Sequence, residues 1–230
     1  TLSSGGRLVY AAAGSSGLMA LADGLELPGT YQIPQDRVVV LIAGGFGILS
    51  DLAGPPEDDA AAAKADIAEA GVTAADCVVA LSASGSTPYA LGALRAAKAR
   101  GAKVVALANN PGAPLLAEAD LPILLATPPE MVAGSTRMGA GTAQKIELNM
   151  MSTLAAIALG HVHDGYMVNV RADNVKLRDR AARMVAAIGG GGRDEAAALL
   201  QRSGNSVKAA VLMAAGASDA AAAKALLDAS

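Results

Sequence analysis

Five short apolar runs, at residues 8–13, 38–43, 77–81, 104–108 and 121–125, punctuate the first half of the chain. Each is nearly continuous in apolar residues rather than alternating, the pattern of a strand buried on both faces of a parallel sheet. Between and after them, stretches 59–70, 88–100 and 140–159 carry helix-forming residues with apolar positions three and four apart. Gly101 and Gly160 stand where C-terminal caps belong. The alternation predicts βαβ units and an α/β fold, a doubly wound parallel sandwich of five strands.

The pattern changes near the C-terminus. A helix is expected over 174–188, and Gly189-Gly-Gly-Gly192 then breaks any helical period and reads as a linker. Beyond it, 194–201, 206–214 and 218–227 read as three short helices, each opened by Asp or Ser in a capping position. The expected division is a main domain over 1–188 and a small helical unit over 189–230. A bundle of roughly 40 residues lies near the lower limit of independent stability, so docking on the main domain or on a partner subunit is expected.

Composition narrows the function classes. Hydrophobic residues make up 53% and charged residues 17%, which argues against disorder. No apolar run approaches the ~20 residues of a membrane span, and no signal peptide opens the chain, so no membrane partner and a cytoplasmic location are expected. The single Cys77 sits in an apolar run and is expected in the core. Net charge is −3, with one Phe, four Tyr and no Trp, a poor complement for nucleic acid. His161 and His163 lack the further ligands that a metal site needs, so no metal is expected. The expected partner is a small molecule.

Two strand-to-helix turns carry candidate chemistry. The first strand runs into Gly14-Ser15-Ser16-Gly17, and the third into Ser82-Ala-Ser84-Gly-Ser86-Thr87-Pro88. Glycines permit close approach, and hydroxyls and amides at a helix N-terminus suit an anion such as phosphate. In an open parallel sheet both turns gather at the carboxyl ends of the strands and line one crevice. Neither has the spacing of a nucleotide-binding loop, so no nucleotide cofactor is indicated. Arg137, ahead of a Gly-rich helix start, is a candidate for holding a phosphate or carboxylate. Glu26 and Glu57, read from sequence alone, are solvated loop carboxylates.

The loop Ser84-Gly-Ser-Thr87 resembles the phosphosugar loop of SIS (sugar isomerase) domains. Ala83-Ser-Gly-Ser-Thr-Pro-Tyr89 is similar to the ASGRTPY version found in the N-acetylmuramic acid 6-phosphate etherase family. Leu41-Ile-Ala-Gly-Gly45, Asn110-Pro-Gly112, Gly134-Ser-Thr-Arg-Met138, Ala140-Gly-Thr-Ala-Gln-Lys145 and Leu148-Asn-Met150 resemble that family's motifs in the same order. The resemblance implies an SIS-type sandwich and a lyase of amino-sugar recycling. Such an enzyme opens the lactyl ether of N-acetylmuramic acid 6-phosphate by elimination and water addition, without metal or organic cofactor, and works as a homodimer. The family's acid, in a segment DASECPPT, falls on Glu26. Its second glutamate, in EGAED, falls on Glu57 as base, with Asp58 beside it. Ser15, Ser16, Ser84, Ser86, Thr87 and Arg137 are the implied substrate-binding residues.

Three cations usual in that family are absent, with Leu18, Ser86 and Gly139 in their places. Fewer cationic contacts weaken recognition of a doubly anionic substrate, so a related sugar with less negative charge is a reasonable expectation. Family members also carry a further, partly helical segment ahead of Gly5, which implies a trimmed or shortened form here, or subunit contacts in its place. Two rivals stand beside the lyase: a phosphosugar isomerase, and a non-catalytic sugar-phosphate sensor similar to the glucokinase regulatory protein.

Overall fold

The computed structural model describes residues 1–52 and 54–229; Ala53, which opens the segment leading to Glu57, lies outside them. Its sheet contains β1 (Leu8–Ala12), β2 (Val38–Ile42), β3 (Cys77–Ser82), β4 (Lys103–Ala108) and β5 (Leu121–Leu124). They pair in the order β2-β1-β3-β4-β5, parallel throughout. The three central strands are buried along nearly all their length, as their unbroken apolar runs require. The edge strand β5 departs from that pattern, with Leu121 and Leu124 open to solvent in the single chain.

Nine helices among the described residues complete the fold: α1 (Gly14–Tyr31), α2 (Ala60–Glu69), α3 (Pro88–Ala99), α4 (Pro114–Glu118), α5 (Gly139–Ala158), α6 (Val175–Gly189), α7 (Arg193–Arg202), α8 (Val207–Ala214) and α9 (Ala220–Asp228). The segment after the first turn is one 18-residue helix, not the loop in which Glu26 was expected. Two glycines in α1, Gly17 and Gly24, serve packing. A Cβ at Gly17 would stand 2.8 Å from Ile42 Cγ2, and one at Gly24 2.8 Å from Val40 Cγ2, so α1 lies closer to β2 than any larger residue allows. Asp59, Asn174, Ser206 and Asp219 each accept a backbone N–H as N-caps of α2, α6, α8 and α9. Helix α7 starts instead from Gly192, with Asp194 in its first turn.

Two polar clusters pin the first layer. Arg7 donates to both oxygens of buried Asp76 at 2.8–3.2 Å, tying the entry of β1 to that of β3. Burial alone would raise the Asp76 carboxyl, but the Arg7 guanidinium and the amides of Thr73 and Arg7 outweigh it and hold the group at about 2. Buried Asp23 on α1 accepts from Tyr10 Oη at 2.7 Å, Asn149 Nδ2 at 2.7 Å and Ser152 Oγ at 2.9 Å, which joins α1 to β1 and α5.

By contacts the chain forms two compact units, residues 1–26 with 34–152, and residues 27–33 with 153–230. This division does not coincide with the boundary read after residue 188. Helix α6 shares a core with the short helices: Ala181, Met184 and Val185 pack with Leu200, Val207 and Ala210. Gly190 and Gly191, at φ 75° and 90°, turn the chain from α6 into α7 inside that second unit. Among the described residues no helix is long and apolar enough to cross a membrane.

Candidate active site

β1 and β3 are neighbours in register, Ala12 beside Leu81, so the chain leaves the sheet at Gly14 and at Ser82 side by side. Ser15 is half-buried and Ser16 buried in the first turn of α1, whose leading amides have no acceptor within the helix.

The second turn is organised by Ser82, a residue whose role the sequence did not single out. Its buried hydroxyl accepts the Gly85 amide at 3.0 Å and bonds Thr87 Oγ1 at 2.7 Å and Ser84 Oγ at 3.2 Å. Ser84 Oγ in turn accepts from Ser86 N at 3.2 Å and Ser86 Oγ at 3.0 Å. Gly85 has φ +69°, and a Cβ there would stand 2.3 Å from Ala113 Cβ, so this glycine lets the loop fold down onto the segment after β4. Pro88 then opens α3. Ser84 and Ser86 remain exposed above a helix N-terminus, an arrangement suited to a phosphate.

Glu57 arrives from a third loop. The 3₁₀ turn Pro55–Asp58 packs beside α3, and its carboxylate lies directly on Gly14. A Cβ at residue 14 would stand 2.5 Å from Glu57 Oε1. Burial first, and then the neighbouring Asp58 carboxylate, raise the Glu57 carboxyl above its ordinary value. Glu57 is therefore a half-buried carboxylate set at the start of α1, beside the hydroxyl loop. Asp58 itself is exposed.

Glu26 is elsewhere. It sits twelve residues along α1 from Gly14, about 18 Å at the helical rise. It is 66% exposed, with Lys145 Nζ 3.8 Å from its Oε2. Its apolar neighbours do not close over it in the single chain: Leu27 is in the core and Leu25 points to solvent. The reason is helical, since neighbours in sequence point to different sides of a helix rather than around one carboxyl. Arg137 is exposed, two residues ahead of α5. The first amides of α5 are already taken, Gly139 N by Glu130 Oε2 at 3.1 Å and Ala140 N by Glu130 Oε1 at 3.0 Å. A further buried pair stands behind the loop: Gln144 Nε2 donates to Asn109 Oδ1 at 3.0 Å, and Asn109 N donates to Ala83 O at 3.0 Å.

Residues 59–161 match the SIS domain model, and residues 1–98 match that of the glucokinase regulatory protein N-terminal SIS domain. The N-acetylmuramic acid 6-phosphate etherases of Deinococcus radiodurans and Serratia proteamaculans are 50% and 47% identical to this chain over 184 residues. Over those residues the chain is similar to the N-acetylmuramic acid 6-phosphate etherases, and within it residues 59–161 match an SIS domain. The aligned part is 80% of this chain and 60% and 62% of those etherases, so the chain spans about three fifths of their length. An E. coli CFT073 protein solved in a ligand complex is 17% identical, with a TM-score of 0.54 over 70% of this chain and 74% of that one; the likeness is one of fold.

Each departure from the etherase pattern has a structural counterpart. Leu18 packs with Leu21, Ile42 and Ile48 instead of reaching the crevice. Ser86 turns its hydroxyl onto Ser84. Gly139 offers only its amide, to Glu130.

Proposed function

We propose that this chain opens the lactyl ether of N-acetylmuramic acid 6-phosphate as a carbon–oxygen lyase, giving N-acetylglucosamine 6-phosphate and D-lactate in cytoplasmic amino-sugar recycling. The observation that carries the reading is Glu57: a half-buried carboxylate of raised pKa resting on Gly14, beside a hydroxyl loop that suits a sugar phosphate. With the phosphate on Ser84, Ser86 and Thr87, and Ser15, Ser16 and Arg137 at its margins, Glu57 takes the proton from C2 of the open-chain sugar. The bond from C3 to the lactyl oxygen breaks, that oxygen is protonated as lactate leaves, and water adds across the new double bond. A base of raised pKa is the stronger base, provided it is ionised at the working pH.

The acid role goes to Glu26; within one chain about 18 Å of helix separates it from Gly14, so the reading includes a homodimer in which the second copy brings its Glu26 to the ether oxygen. Leu25, Ile146 and Met150 neighbour Glu26, Lys145 and Asn149 in sequence and are all exposed in the single chain. Covering them with a second copy would remove water from the Glu26 carboxyl and raise its pKa, as an acid working near neutrality requires.

The test is lactate release from N-acetylmuramic acid 6-phosphate by the wild type and by Glu57→Ala and Glu26→Ala. Each variant is expected to lose roughly 10²- to 10⁴-fold in kcat. A second reading, a non-catalytic sugar-phosphate sensor, is favoured by the match of residues 1–98 to the glucokinase regulatory protein model and by the missing cations. Wild-type protein that binds sugar phosphates and releases no lactate would select it.

A further inference from the structure

The second compact unit holds a cavity of about 630 Å³, walled by the end of α5, the segment behind it, and α6, α8 and α9. Val168, Ile188, Val211 and Leu212 supply apolar walls, and among the described residues none that lines it is acidic. One charged group faces into this space from α8: Lys208 lines the cavity, and burial lowers its pKa. Among the described residues Lys208 has no ion pair. The acids nearest in sequence to the cavity wall are exposed, Asp164 at 3.8 Å from His163 Nε2 at the rim and Asp228 paired with Lys224. His161 stands close enough to be repelled by Lys208. Burial, and then that repulsion, lower its pKa against a hydrogen bond with the Tyr31 backbone that raises it, and its Nδ1 is buried without a hydrogen-bond partner.

A half-buried ammonium without a counter-charge is costly, and an aliphatic residue at 208 would remove that cost. The position therefore has the signature of a site that sacrifices stability for a ligand. We propose that this cavity binds a small organic carboxylate, its anionic head on Lys208 Nζ and its aliphatic body against Val168, Ile188, Val211 and Leu212. One cation in apolar walls suits a monoanion with a hydrocarbon body better than a phosphate, which needs several donors. This site is separate in chemistry and residues from the Glu57 crevice, so its test is independent of the lyase reading.

Hexanoate is the probe, titrated into the full chain and followed by methyl NMR and thermal melting, with hexanol and inorganic phosphate as controls. Hexanoate is expected to shift the Val211 and Leu212 methyl signals saturably and to raise the melting temperature. Lys208→Met is expected to melt above the unliganded wild type, to bind hexanoate at least tenfold more weakly, and to leave hexanol binding unchanged. Lys208→Gln provides the same comparison should the Met variant misfold. Equal hexanoate affinity in the variants, no saturable shift in the wild type, or stronger binding of phosphate than of hexanoate would overturn the proposal.

Discussion

The carboxylate of Glu57 rests on the Cα of Gly14, 43 residues away in sequence, so closely that a methyl group at residue 14 would stand 2.5 Å from its Oε1. Gly14 also has φ +53°, a backbone conformation costing a larger residue about 1–2 kcal/mol. Gly14→Ala should therefore displace Glu57 as well as strain the turn. A loss of lactate release of at least tenfold is expected, with an unchanged far-UV circular dichroism spectrum and a lowered melting temperature. Activity equal to wild type would remove Glu57 from the chemistry.

Glu57 should also mark the pH dependence. The folded state holds this proton more tightly than the unfolded chain. The group thus contributes stability below its ordinary value of 4.5, and that contribution is lost as pH rises through the raised folded value. Glu57→Gln, free of the desolvated charge, is expected to melt above wild type at pH 7, with the gap closing below pH 4.5. The acid limb of kcat/KM in the wild type should lie above 4.5, because the base must be ionised. Melting curves and rate profiles over pH 4 to 8 check both.

In the lyase reading proposed above, Ser82 positions the loop rather than touching the sugar. Removing its hydroxyl in Ser82→Ala deprives the Gly85 amide, Ser84 and Thr87 of their common partner. KM for the phosphorylated substrate is expected to rise roughly tenfold, equivalent to about one charge-assisted hydrogen bond, with kcat changed much less. A fall in kcat at constant KM would argue for direct participation.

Asp23 is a buried carboxylate of the first unit that three side chains share. Asp23→Ala leaves Tyr10 Oη and Asn149 Nδ2 without their acceptor, while Ser152 Oγ can turn to Asn149 O at 3.2 Å, at about 1–3 kcal/mol for each donor left unpaired. A destabilisation of about 3 kcal/mol or more is expected in urea unfolding. Tyr10→Phe, which removes one donor and leaves the carboxylate two partners, should cost about 1 kcal/mol. Equal losses in the two variants would show that Asp23 matters only through Tyr10.

The strands were legible because a continuous apolar run has few other homes, and each begins and ends within a residue or so of its expected place. The hydroxyl loop was legible because Gly and Ser between a strand and Pro88 leave little choice of conformation. Helix α1 was less so: Gly17, Gly24 and Pro28 weaken any helical signal, and only their close packing on β2 explains glycine there. The same helix removed Glu26 from the loop in which it was expected and set it against Lys145.

The sequence holds a local record: which segments are continuously apolar, where the glycine- and hydroxyl-rich turns lie, and which motifs resemble those of the etherases. That information is written residue by residue, in periodicity and in backbone preference. Only the tertiary structure decided which side chains meet. Glu57 on Gly14, Ser82 beneath Thr87, and Lys208 beside His161 each depend on strand order and helix packing, and so on contacts between positions whose separation no local pattern records. Desolvation is likewise a property of the packed neighbourhood, which is why it raises Glu57 and lowers Lys208 while leaving exposed Glu26 in water.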